Sequence, residues 1–259
     1  MALFSQEIRD DIKDFFSTAD SYMLERLKEG RIVDENDFTS KFTGAVEELF
    51  SENFPINVKS YSQKLPGGVE REWGVDGMIL LVDQETRQGK ICLFEAKIHK
   101  CNWDYTQPRS QPPVSHFSTQ LKKQITPDSK GFIVWEQIYS ANKGHSSCFL
   151  HEFAIKHGGK PTYSKLWDND DVDSACELQL QDGLPIELGE LIKIACECTI
   201  GEVFTIEEIV AQLKNIPAVE SALLIEKQDP EYNFSLADTL KKKFNEKKEK
   251  KPHKGFRNK

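Results

Sequence analysis

Three ionisable residues sit where apolar strands are expected, and their types suit one chemistry. Val75 to Val82 is a near-continuous apolar run headed by Asp76. Ile91 to Ile98 is apolar until Glu95 and Lys97 interrupt it. Buried strands read as apolar runs of this kind, and a charge inside one is unfavourable unless it is paired or bound to a metal. Side chains alternate along a strand, so Glu95 and Lys97 share a face with Ala96 between them. Two carboxylates converging from neighbouring strands suit Mg²⁺, a hard cation that prefers oxygen ligands. An ammonium beside them would orient the attacking water and offset the charge that develops on a phosphate. The competing reading is a plain buried Glu95–Lys97 ion pair.

Taken together, Gly-Val-Asp76, an apolar strand, a turn and a strand ending in Glu95-Ala96-Lys97 resemble the PD-(D/E)xK nuclease superfamily. Residues 32–140 carry the likeness. It implies an α/β fold with a restriction-endonuclease-like core, α-β-β-β-α-β, whose mixed central sheet is flanked by helices, with extra N- and C-terminal helices. It also implies a Mg²⁺-dependent DNA endonuclease, with Mn²⁺ able to substitute, that leaves a 5′-phosphate and a 3′-hydroxyl. In that scheme Asp76 and Glu95 hold the metal together with the carbonyl of Ala96, and Lys97 serves the water. The family often adds an acidic residue from the helix before the sheet; Glu35 is chosen for that place, with Glu47 and Glu48 next in order. Gln120-Leu121 resembles the Gln-Leu motif of RecB-like nucleases, which makes Gln120 a holder of water or of a catalytic side chain. The alternative is a catalytically inactive nuclease-like fold that binds nucleic acid or protein, and RNA as substrate stands as a third reading.

The elements that must position these residues follow from periodicity. Residues 5–28 space apolar side chains as a helix does, forming a support (1–31). A second helix begins after Asp34, with Phe38, Phe42 and Val46 on one stripe and Glu35 on it. Ile56 to Leu65 reads as a strand closed by Pro66-Gly67-Gly68. A long loop from Ile98 to Pro113 carries Trp103, Tyr105 and Arg109, side chains suited to nucleic-acid contact. Val114 to Ile125 reads as a helix with Val114, Phe117, Leu121 and Ile125 inward, flanked by Gln120 and Gln124. Gly131 to Tyr139 reads as a strand beside the Glu95 strand.

Residues 141–240 read as a helix-rich extension. Phe149 to His157 is expected helical, residues 168–173 a solvated acidic turn, and Cys176 to Gln181 an edge strand. Ile186 to Cys198 and Thr205 to Ile216 are expected helices, the latter with a Thr205/Glu208 capping box.

Composition sets the bounds. The chain has 259 residues and a net charge of −8. That figure conceals an asymmetry, because residues 241–259 hold ten Lys/Arg against two Glu, leaving 24 basic and 40 acidic residues elsewhere. The tail is expected to be disordered, as a solubilising or phosphate-binding segment. No apolar run reaches the length of a membrane span and no signal-peptide pattern is present, so a cytoplasmic protein without membrane contact is expected. Six cysteines without Cys-x-x-Cys spacing read as reduced thiols. The sequence contains no Gly-x4-Gly-Lys phosphate loop, so any ATP dependence is expected to come from an ATPase or helicase partner, as in restriction or anti-phage defence systems.

Overall fold

A computed structural model of the chain describes residues 2–50, 56–63, 72–107, 113–158, 166–232 and 234–249. The Pro66-Gly67-Gly68 turn, the end of the expected strand at residues 64–65, Arg109 and residues 250–259 lie outside the described residues.

The fold is α/β, built on one mixed sheet. Its strands are β1 (Asn57–Ser62), β2 (Gly77–Asp83), β3 (Gln88–Ile98), β4 (Ile133–Tyr139), β5 (Ser147–Leu150), the two-residue β6 (Phe204–Thr205) and β7 (Ser221–Lys227). The spatial order is β1-β7-β2-β3-β4-β5, with β6 paired to the start of β3. The pairs β2–β3, β4–β5 and β1–β7 are antiparallel; β2–β7 and β3–β4 are parallel. Every residue of β2 and of β4 is buried, as expected of strands covered on both faces.

Alternation along the strands supplies two apolar faces. Ile79, Leu81, Cys92, Phe94 and Trp135 pack against α1 (Gln6–Lys28), α2 (Glu35–Leu49) and α6 (Leu188–Cys196). Met78, Leu80, Ile91, Leu93 and Val134 face the other way, toward α7 (Ile206–Asn215) and α8 (Leu236–Glu249). On that same side, at the β4–β5 end, Ile138 and Phe149 pack with α3 (His116–Asp128), α4 (His151–Gly158) and α5 (Asn169–Gln181). The residues on β3 that continue the run Ile91, Leu93 are Glu95 and Lys97. The polar pair therefore falls where two apolar clusters meet. No helix among the described residues is long and apolar enough to cross a membrane.

Several expectations are corrected here. Residues 168–173 are not a solvated turn: Asp168 caps α5 reciprocally with Asp171, a capping box built from two aspartates. Cys176 to Gln181 is accordingly the second half of that helix and not an edge strand. Residues 147–150 form β5 before the helix begins at His151. Ile125 is 46% exposed, and Gln124 takes the inward place; the sheet surface beneath α3 carries Glu95 and Glu136, so a polar side chain is better matched to it. The start of the basic segment is helix α8 up to Glu249, which buries Leu240 and Phe244 and lays the Lys243 ammonium on the carbonyls of Leu213 (2.7 Å) and Ile216 (2.6 Å) at the end of α7. Cations are favoured at a helix C-terminus.

The chain order α2, β1, β2, β3, α3, β4 follows the expected succession. In space, however, β7 separates β1 from β2. The sheet thus draws a central strand from the region expected to be a helix-rich extension, and seven residues (SALLIEK) supply it.

Candidate functional site at the end of the third strand

Asp76, Glu95, Ala96 and Lys97 meet because β2 and β3 are an antiparallel pair with Gly77 opposite Phe94. Asp76 precedes β2, and its backbone N–H donates to the Phe94 carbonyl (2.8 Å). Its side-chain Oδ2 accepts from the Ala96 N–H (2.8 Å). The carboxylate is thus locked to the backbone of the Glu-Ala-Lys segment and is buried.

Glu95 is fully buried, and its Oε1 accepts hydrogen bonds from the Lys97 ammonium and from the Gln120 side-chain amide. Lys97 also donates to the Ala96 carbonyl (3.1 Å). Burial alone would push the Lys97 ammonium toward neutrality. The Glu95 and Asp76 carboxylates, joined by Glu35, outweigh burial and hold its pKa above the ordinary lysine value. Lys97 is therefore a cation at neutral pH.

Glu35 comes from the first turn of α2, on the opposite side of the sheet, and its Oε1 accepts from the backbone N–H of Ile98 (3.4 Å). Phe38 stacks on Tyr139 of β4 (3.6 Å between centroids), and the Thr39 and Tyr139 hydroxyls are 3.0 Å apart, which fixes the start of α2 at this end of the sheet. Glu47 and Glu48 are not brought to the site. Glu47 accepts from Ser60 of β1 (2.9 Å to the N–H), and Glu48 is exposed. All five residues selected from the sequence, Asp76, Glu95, Lys97, Glu35 and Gln120, thus gather at the C-terminal end of β3.

A cleft of ≈ 380 Å³ opens here, lined by Glu35, Asp76, Ala96 and Lys97 and by Trp103, Tyr105 and His116 from the following segment. The donor set is oxygen throughout, which suits a hard cation. Lys97 now contacts two of the atoms assigned as metal ligands, the Glu95 carboxylate and the Ala96 carbonyl, so a cation is already the species this pocket holds. Among the described residues, no group of three or more His, Cys, Asp or Glu side chains is close enough to hold a metal together. Metal binding by Asp76, Glu95, Ala96 and Glu35 would require the ammonium to withdraw.

Family models, curated proteins and solved structures give no match to this chain.

A second buried polar group adjoins the first. Glu136 on β4 is the Cα partner of Glu95, is fully buried, and accepts from the Gln124 amide (3.2 Å). Gln124 also donates to the Gly74 carbonyl (2.9 Å), and its Oε1 lies 3.0 Å from Nδ1 of His151. Burial pulls the His151 pKa down to about 4, so its ring is neutral. Glu136 was visible in principle: it is a charge inside an apolar strand, GFIVWEQIY, the same signal that marks Glu95.

Burial, reinforced by the neighbouring Glu95, raises the Glu136 pKa well above the usual carboxylate range. The native state retains a proton that the unfolded chain releases near pH ~4.3. The associated stability is full below that pH and is lost as pH rises toward the native value. Glu136→Gln removes this slope. Its melting temperature relative to wild type is expected to rise as pH increases above the unfolded value of ~4.3; calorimetry from acid to neutral pH checks it, and a constant difference would refute the assignment.

Gly74 lets the approach to β2 pass under α3. Its φ is +62°, and an added Cβ would lie 2.7 Å from the Gln120 carbonyl oxygen. Gly74→Ala is expected to destabilise the fold by about 2 kcal/mol, from backbone strain and displacement of α3, as read by denaturant unfolding.

Proposed function

We propose that the protein is a Mg²⁺-dependent deoxyribonuclease with a restriction-endonuclease-like core. The observation that carries this reading is the Lys97 ammonium held between the Glu95 carboxylate and the Ala96 carbonyl, on the wall of a cleft that Asp76 and Glu35 also line. A purely structural ion pair has no need of two further carboxylates or of an opening to solvent.

Asp76, Glu95, the Ala96 carbonyl and Glu35 are the groups that would hold Mg²⁺ or Mn²⁺. When bound, the ion supplies Lewis-acid polarisation of the phosphodiester and neutralises developing charge. The chain's own residues do the rest. Asp76 is held by the Ala96 N–H and Glu95 by Gln120 before substrate arrives, so the carboxylates are positioned in advance and the Lys97 ammonium is the group that moves. Lys97, charged at neutral pH, donates to the attacking water or to a non-bridging phosphate oxygen and does not serve as the base. Glu35, at the Ile98 N–H, would complete the site directly or through a water.

A binding-only fold is the second reading. It is favoured by the absence, among the described residues, of a preassembled three-ligand metal group. Incubation of the purified chain with supercoiled plasmid DNA, and with matched single-stranded DNA and RNA, in Mg²⁺ or Mn²⁺ separates the two. Nicking of DNA that yields 5′-phosphate ends is expected. DNA binding without cleavage in either metal would establish the binding-only reading instead. An ATPase or helicase partner belongs to the same proposal, and co-purification of the endogenous complex tests it.

A further inference from the structure

We infer that the segment leaving β3 forms a subsite for an unpaired DNA base next to the phosphodiester to be cut; this inference rests on the nuclease reading above. Tyr105 is 51% exposed, and its ring stacks on that of His116, with centroids 4.5 Å apart and planes inclined by 13°. Both rings line the cleft that holds Asp76 and Lys97. The pair is held by backbone: the His116 N–H donates to the Tyr105 carbonyl (2.8 Å), the Gln107 N–H donates to the Val114 carbonyl (2.9 Å), and Thr106 bridges Ser115. A ring platform fixed in this way loses little conformational freedom when another flat ring stacks on it.

Trp103 supplies the independent observation. It lines the same cleft, is 6% exposed, packs edge-on against Phe117 (4.9 Å), and its buried indole N–H has no hydrogen-bond partner among the described residues. A buried donor without an acceptor is unfavourable, and this one belongs to a side chain on the cleft wall, where a ligand acceptor reaching it is part of the inference. A ligand that fits these groups presents a flat π surface, an acceptor and, for Lys100 on the same cleft wall, an anion. A nucleotide carries all three. In a duplex both faces of each base are covered by its neighbours, so the free face needed for the Tyr105 ring belongs to an unpaired base.

The test measures anisotropy of fluorescein-labelled DNA oligonucleotides with the full chain in Ca²⁺, alongside plasmid cleavage in Mg²⁺. Tyr105→Leu is expected to bind single-stranded DNA about tenfold more weakly than wild type, as loss of one base–aromatic stack does, with blunt duplex binding unchanged. Tyr105→Phe keeps wild-type affinity, and Trp103→Phe, which retains the buried ring but not the N–H, weakens single-strand binding. An abasic site in the oligonucleotide weakens binding to wild type but not to Tyr105→Leu. Tyr105→Leu binding single strands as tightly as wild type, or losing affinity equally for the abasic strand, overturns the subsite while wild-type plasmid cleavage leaves the nuclease reading standing. A wild-type chain that neither binds nor cuts DNA overturns both.

Discussion

Under the proposed nuclease activity, Glu95→Gln is expected to lower Mg²⁺-dependent DNA cleavage by about a thousandfold or more, because Lewis-acid assistance contributes several kcal/mol and each ~1.4 kcal/mol is tenfold. The substitution keeps shape and an acceptor for Gln120 but removes the charge that faces Lys97 and that would face the proposed metal. It also leaves the ammonium short of its nearest anion, and breaking a buried pair destabilises a fold. Loss of activity must therefore be separated from loss of fold. Lys97→Met in the same chain removes the orphaned cation, so the double variant is expected to melt closer to wild type than Glu95→Gln alone and to remain inactive. Single-turnover cleavage and thermal melting of the three variants measure this. A Glu95→Gln enzyme cutting within about tenfold of wild type would show that the pair is structural, since the loss of a metal ligand is far larger.

The second large effect is expected at Asp104, which the sequence did not single out. It is 4% exposed and accepts four hydrogen bonds. Oδ1 takes the N–H groups of Tyr105 (2.8 Å) and Phe117 (3.0 Å); Oδ2 takes the Ser115 hydroxyl (2.6 Å) and the Trp167 N–H (3.0 Å). One carboxylate thereby ties the segment after β3 to the first turn of α3 and to the entry of α5. Asp104→Ala leaves these donors unsatisfied in a buried place, and hydrogen bonds to a charged group contribute roughly 1.5–3 kcal/mol each, without simple addition. A stability loss of about 4 kcal/mol is expected, with protease sensitivity appearing first between residues 99 and 118. Urea unfolding and limited proteolysis read it. A loss below about 1 kcal/mol would mean that water replaces the carboxylate.

Three residues of the candidate site were legible because each broke a local rule, whereas Glu35 and Gln120 were chosen on the nuclease likeness. Glu95 and Lys97 interrupt an apolar strand, Asp76 heads another, and burial of such charges requires a partner. Gln124 and Glu136 obey the same logic, yet periodicity alone ranked Ile125 above Gln124 as the inward residue. Helical spacing reports which direction a side chain points, and the polarity of the opposing surface is decided by strands distant in sequence. The same limit applies to residues 168–181, where an aspartate-rich run is equally a turn or a helix start until Asp171 reaches back to the Asp168 N–H (3.0 Å).

The sequence by itself determined strands β1 to β4, the helices with strong apolar stripes, and the set Asp76, Glu95, Lys97, because these depend on neighbours within a few positions. Tertiary structure alone decided that β7 would stand between β1 and β2 and that Trp103, Tyr105 and His116 would share the cleft with Lys97. Those outcomes turn on pairings across as many as 160 or more positions, such as Asn57 with Glu226. Local propensity carries no record of such pairings; they are fixed by burying both faces of the sheet at once.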